Sequence, residues 1–211
     1  MKVQKEILFE MLSVLSEKMI VSEKLLTDLD SAIGDGDCGL GIRTGFQKVQ
    51  QVLPTLQLQS MGGILKKVGS TLVGSIGGTS GAILGTGFMR LGKSLGDKED
   101  IGLKDMHEAL ESALEGMKMR GEDTKVGDKT LIDALEPAVE AFGNAISFGE
   151  DGLTALGKAV SAAKAGSDST IPLIARKGRA SYLGERSIGH RDAGSMAIFL
   201  MFESIHNYLR G

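Results

Sequence analysis

With 211 residues, 42% of them hydrophobic and 24% charged, the chain suits one sizeable soluble domain over 1–211 and is short for two. A net charge of −3, from 24 basic against 27 acidic residues, argues against nucleic-acid partners, because broad phosphate contact needs surplus Lys and Arg. A single cysteine, Cys38, excludes an intrachain disulfide; with a charged, amphipathic N-terminus instead of a signal-peptide core, it points to a cytoplasmic protein. The unusual feature is 30 glycines against 3 prolines and no tryptophan. Such a surplus either relieves crowding or brings backbone close to something.

In chain order, Ile7, Met11 and Leu15 recur at four-residue spacing, and Leu25, Leu26 and Leu29 extend that helical run. A second run spans 39–53 and closes at Pro54, since a helix rarely reaches a proline. Further helices are expected at 60–74, 79–95, 102–121, 130–147, 151–165 and 190–209, which makes eight. The last is apolar nearly all round (Met196, Ile198, Phe199, Leu200, Phe202, Ile205), as a buried helix would be. Strand signals are almost absent. Two polar, glycine-bearing loops remain, at 27–39 and 166–189. The second is long enough to serve as a lid over a site.

Residues 68–89 carry no charge and match a membrane span in length. Thirteen of these 22 residues are Gly, Ser or Thr, so the stretch reads as a tightly packed buried segment and no membrane partner is expected.

Three familiar motifs fail on context. Gly34 to Gly39 satisfies G-x-G-x-x-G, but a helix precedes it and Gln57-Leu58-Gln59 stands where the ribose-binding acid belongs. Gly87 to Ser94 satisfies G-x-x-x-x-G-K-[ST], yet no strand flanks it and Phe88, Met89 and Leu91 look like a helix face. The aspartates around Gly36 lack the twelfth-position Glu of a calcium loop. His190, Asp192 and Ser195 sit within six residues at a helix start, where capping is the better reading than a hydrolytic triad.

Asp30, Asp35 and Asp37 remain to be explained. No Lys or Arg lies between Lys24 and Arg43, so converging carboxylates there need a cation. All-oxygen donors suit magnesium, manganese or calcium over zinc; a solvated acidic loop is the alternative. Gly77-Gly78-Thr79-Ser80-Gly81 opens the helix expected at 79–95, and free N–H groups with two hydroxyls form an anion site. The competing reading is a helix capped by Thr79 or Ser80. An acidic metal loop beside an N–H-rich cradle is what a metal–polyphosphate ligand requires. Arg179 in the second loop can add the cation that phosphoryl transfer uses.

These segments together resemble the nucleotide-binding L subunit of bacterial dihydroxyacetone kinase over essentially the whole chain. The resemblance rests on Leu29-Asp30 with Gly34 to Gly39, on Gly77 to Gly81, on Gly127-Asp128-Lys129-Thr130-Leu131-Ile132-Asp133-Ala134-Leu135-Glu136-Pro137, and most specifically on Gly178 to Ser187 running on to Gly189-His190-Arg191-Asp192. It implies an all-α, eight-helix antiparallel barrel with the nucleotide site at one rim, capped by a loop. By the same resemblance Asp30, Asp35 and Asp37 hold two Mg²⁺ ions. Cys38, Gly39, Leu40, Gly41, Thr79 and Ser80 line the phosphate and sugar side of ADP or ATP, and Gly121 and Leu131 border the adenine. Arg179, the catalytic residue, closes the site with Asp192, Ala193 and Gly194.

The implied activity is transfer of a phosphoryl group to dihydroxyacetone, or another short keto-sugar, held on a separate K subunit. A phosphotransfer M subunit fed by phosphoenolpyruvate would recharge the nucleotide. A nucleotide-dependent regulator that binds a transcription factor is the non-catalytic alternative. Two departures bear on nucleotide exchange: Cys38 stands where phosphoenolpyruvate-dependent members usually carry His, and Ala193 where the family usually has Pro. On this reading many of the glycines ring one nucleotide, at 34–45, 77–87, 121–127 and 178–194.

Overall fold

The computed structural model describes residues 3–211. Among them are nine α-helices: α1 (Lys5–Val21), α2 (Glu23–Ile33), α3 (Cys38–Val52), α4 (Met61–Ile76), α5 (Gly78–Leu95), α6 (Leu103–Arg120), α7 (Ile132–Ser147), α8 (Gly152–Ser169) and α9 (Ala193–Arg210). Two 3-10 segments, Leu53–Leu56 and Arg179–Ser187, and a two-residue antiparallel pairing of Val3–Gln4 with Asp100–Ile101 complete the description.

The count is nine because the first run divides at Ser22. The Ser22 hydroxyl donates to the Lys18 carbonyl at 2.7 Å and its N–H bonds the same oxygen. The Lys18 carbonyl is thus shared between hydroxyl and N–H, a back-bonding that bends helices, and α2 begins at Glu23. Ile33 ends α2, so the acidic loop is four residues, 34–37, and not the longer 27–39 expected. Similarly α8 runs to Ser169, and the second loop contains the 3-10 segment.

Eight helices follow one another as packing neighbours in the order α1, α3, α4, α5, α6, α7, α8, α9, and α9 returns to α1. The short α2 lies against α3 and α9. An apolar core fills the interior, including Leu15, Met19, Phe46, Val68, Leu72, Ile132 and Ala159. Within it is a cavity of about 160 Å³ walled by side chains such as Met11, Leu84, Phe88, Leu110 and Phe202, away from every residue of the polar loops.

The uncharged stretch is not one segment. Gly77 breaks it at φ 78°, so α4 and α5 fold back on each other, and no described helix is long and apolar enough to cross a membrane. Glycines set their separation. A Cβ on Gly69 would lie 2.5 Å from the Gly85 carbonyl oxygen, and one on Gly92 would lie 2.5 Å from that of Gly62. Side chains at these positions would push the two backbones apart. At these positions glycine serves helix contact, the crowding relief that such a surplus can supply. Gly87 and Gly92 sit inside α5, which ends at Leu95 with Gly96 as its cap, and that removes the remaining basis for a phosphate loop at 87–94.

Candidate functional site

Asp30 stands in the last turn of α2, and Asp35 and Asp37 follow in the loop. The loop curls back because Gly34 leaves room: a Cβ there would meet the Asp30 carboxylate at 2.3 Å. Gly36 turns at φ 76°, a left-handed backbone that favours glycine. The result brings one carboxylate oxygen from each of Asp30, Asp35 and Asp37 within 4.8 Å of one another. Burial, and then repulsion from Asp35 and Asp30, raise the Asp37 carboxyl above its ordinary value. Three oxygen donors this close fit a hard divalent cation such as Mg²⁺.

The Cys38 N–H, at the start of α3, donates to Asp30 at 3.2 Å. Its thiol is pushed up to about 12, chiefly by burial and then by Asp30, Asp192, Asp37 and Asp35. A neutral thiol is a poor nucleophile, so Cys38 serves as backbone donor and packing group. Gly39 lies where a Cβ would strike Thr27 and the Glu23 carbonyl, each at 2.2 Å, which fixes the start of α3 against α2. Leu40 is exposed.

Ile76 links the acidic loop to the second motif. Its side chain fills the space beside Gly41 and Gly45 on α3 and beside Gly81 on α5. This brings the start of α5 alongside the start of α3. Gly77, not Thr79 or Ser80, occupies the cap of α5, and no side chain caps it. Thr79 and Ser80 lie exposed in the first turn, with Gly77 and Gly78 both at positive φ and open space where their Cβ atoms would be. An uncapped helix N-terminus with exposed hydroxyls can accept an anion. Gly121, buried at the end of α6, touches the same helix one turn on, near Ile83.

The segment 170–192 closes the other side. Arg179 Nε reaches Asp35 Oδ2 at 2.8 Å, so the lid rests on the acidic loop through an exposed ion pair that contributes little by itself. Asp192 caps α9, accepting from the Ser195 N–H at 2.5 Å, which confirms capping over a triad. Burial raises its carboxyl to about 7, with Asp133 and Asp30 adding to the effect. Ala193 is buried, and Gly194 packs against Leu131 at the cap of α7. The structure thus joins Asp30, Asp35, Asp37, Cys38 and Arg179 directly, with Asp192 near enough to act on Cys38 electrostatically. Gly41, Thr79, Ser80 and Gly121 join through Ile76 and Ile83, and Leu131 through Gly194.

Sequence reasoning missed the groups that hold this arrangement. Asp133, fully buried, accepts from the Gly127 and Thr130 N–H groups at 2.7 Å each and fixes the loop before α7. Lys129, 1% exposed, donates into a set of backbone carbonyls from 170–190. Both lie in the quoted 127–137 motif, whose apolar periodicity gave no sign of buried charge.

A family model described as the DAK2 domain matches residues 32–207. The chain belongs to the DAK2 domain family. Among its DAK2 relatives is the ADP-binding subunit DhaL of the PEP-dependent dihydroxyacetone kinase of Escherichia coli (strain K12), 39% identical over 180 residues and 85% of each chain. The ADP-binding subunit DhaL of the PTS-dependent dihydroxyacetone kinase of Lactococcus lactis is 35% identical over 93% of each chain. The dihydroxyacetone kinase of C. freundii, solved in complex with AMP-PNP and Mg²⁺, shares the fold at a TM-score of 0.74 and 24% identity. That alignment covers 99% of this chain and 35% of the larger one.

Proposed function

We propose that this chain is the nucleotide-binding, phosphoryl-transferring subunit of a dihydroxyacetone kinase. The carrying observation is the convergence of Asp30, Asp35 and Asp37 within 4.8 Å, with Arg179 of the lid on the same loop. In this reading the three carboxylates hold two Mg²⁺ ions, and Cys38 to Gly41 with Thr79 and Ser80 receive the phosphates and sugar of ADP or ATP. Gly121 and Leu131 border the base, and Arg179 with Asp192, Ala193 and Gly194 closes the site from the lid. When bound, magnesium supplies neutralisation of the charge on the transferring group.

The protein's own contribution is positional. The uncapped start of α5 directs N–H groups at a phosphate, and Arg179 offers a guanidinium that can leave Asp35 for the transferring phosphoryl. The relatives named DhaL are ADP-binding subunits of PEP- or PTS-dependent kinases, which supports a K subunit holding the sugar and an M subunit restoring the phosphoryl group. No helix long and apolar enough to cross a membrane occurs among the described residues.

The test is turnover. The purified chain, a K subunit, dihydroxyacetone and Mg²⁺ are supplied either with ATP or with phosphoenolpyruvate and phosphotransfer proteins. Phosphorylated dihydroxyacetone is expected with at least one donor. Arg179→Ala is expected to lower turnover roughly a hundredfold or more and to release nucleotide faster. Absence of product with both donors overturns the proposal and leaves a regulator that binds nucleotide without chemistry.

A further inference from the structure

The lid of residues 171–190 has almost no apolar anchorage: only Ala175 and Ser187 in it are buried. Its order must come from polar contacts, and these converge on one group outside it. The Lys129 ammonium lies 2.8 Å from the Thr170 carbonyl oxygen, 3.1 Å from that of Leu173, 2.7 Å from Ser187 and 2.6 Å from His190, with Ile171 at 3.5 Å. Three of these oxygens belong to the chain entering the lid and two to the chain leaving it. An ammonium has three donors, so five carbonyls surround it as they would a bare cation. Without that charge the oxygens would face one another in a site closed to water.

The backbone also marks the position. Lys129 takes φ 63°, uncommon for a residue with a long side chain, and this turn sends its ammonium inward. Asp133 holds the turn by bonding N–H groups on either side of Lys129, at Gly127 and Thr130. Around the ammonium the two stems are cross-tied: Gly189 N–H donates to Ile171 at 2.8 Å and Ala175 N–H to the Ser187 hydroxyl at 2.9 Å. Asp192 N–H donates to the Thr170 hydroxyl at 3.0 Å. Arg179, at the far end of this loop, pairs with Asp35 at 2.8 Å.

We infer that Lys129 is a positioning residue whose buried ammonium clamps both stems of the lid, keeps Arg179 over the acidic loop, and so sets how long nucleotide stays bound. The part concerning nucleotide rests on the functional reading above; the clamp itself does not. The lid offers trypsin Arg176, Lys177, Arg179 and Arg186, so its order can be read in the free protein.

Lys129→Met removes the charge and nearly keeps the volume. It is expected to retain the helical circular dichroism signal and to be cut within 176–186 at least tenfold faster than the parent. ADP release should also be at least tenfold faster, with KM for nucleotide raised more than kcat is lowered. In Lys129→Ala, n-propylammonium is expected to slow both cleavage and release, whereas tetramethylammonium, which has no N–H donor, is not. A folded Lys129→Met whose cleavage and release stay within twofold of the parent overturns the inference. If that variant does not fold, hydrogen exchange in the parent decides: slow exchange of the Ala175, Gly189 and Asp192 amides supports the clamp, and fast exchange refutes it. Faster cleavage with unchanged ADP release refutes the link to residence, while failure of the parent to bind Mg–ADP refutes the functional reading instead.

Discussion

The glycine contact between α4 and α5 yields a prediction with opposite signs at two positions of one helix. In Gly69→Ala the new Cβ would sit 2.5 Å from the Gly85 carbonyl oxygen, 2.6 Å from Met89 Cγ and 2.7 Å from Met89 N. Two of these three atoms are backbone, so relief requires the helices to separate by roughly 1 Å, and such overpacking costs about 1–3 kcal/mol. The better helix propensity of alanine returns about 1 kcal/mol, leaving a net loss of up to about 2 kcal/mol. Gly74→Ala lies in the same helix with nothing within 4 Å of its Cβ. It should stabilise by about 0.5–1 kcal/mol. The two variants should therefore differ by about 0.5–3 kcal/mol, or roughly 1–12 °C in Tm for a chain of this size. Urea unfolding followed by circular dichroism, with equal m values, measures it. If Gly69→Ala is as stable as Gly74→Ala, the close backbone contact is not a determinant of stability and the reasoning fails.

Two further outcomes follow from the ionisable groups. Cys38, at about 12 against an ordinary 9.0, should react with iodoacetamide at pH 8 roughly a thousandfold more slowly in the folded protein than in urea; equal rates would show an accessible thiolate. Asp151 caps α8, accepting from the Leu153 and Thr154 N–H groups at 2.9 and 3.0 Å, and the Thr154 hydroxyl first, then these amides, hold its carboxyl below the usual 3.8. A lowered carboxyl stabilises the fold above 3.8 and loses that contribution as pH falls through its folded value. The Tm deficit of Asp151→Ala should thus be full at pH 7 and shrink below pH 4; a deficit that grows on acidification would contradict this.

Helical periodicity located α3 to α9 to within a few residues because each buries one apolar stripe on a common core. The break at Ser22 was hidden, since one hydroxyl bonding back to Lys18 leaves the apolar spacing undisturbed. The acidic loop was legible in its composition: three aspartates without a nearby base leave few alternatives. The start of α5 was legible to within a residue, but the choice of Gly77 as the cap depended on a φ of 78° that no pattern encodes. Lys129 was invisible for a different reason. Its acceptors are backbone carbonyls 41 to 61 residues away, and a carbonyl has no residue type to read. The glycines were assigned too narrowly to the ligand, because a helix-packing glycine and a phosphate-approaching glycine look identical in a sequence.

The claim on which the account depends is that Asp30, Asp35 and Asp37 bind nucleotide through a divalent cation. Calorimetric titration of ADP into the protein, with Mg²⁺ and with EDTA, and into Asp35→Asn with Mg²⁺, tests it most directly. Removing either the metal or the carboxylate is expected to weaken binding at least about tenfold, equivalent to roughly 1.4 kcal/mol. ADP binding of equal strength in all three titrations would contradict it.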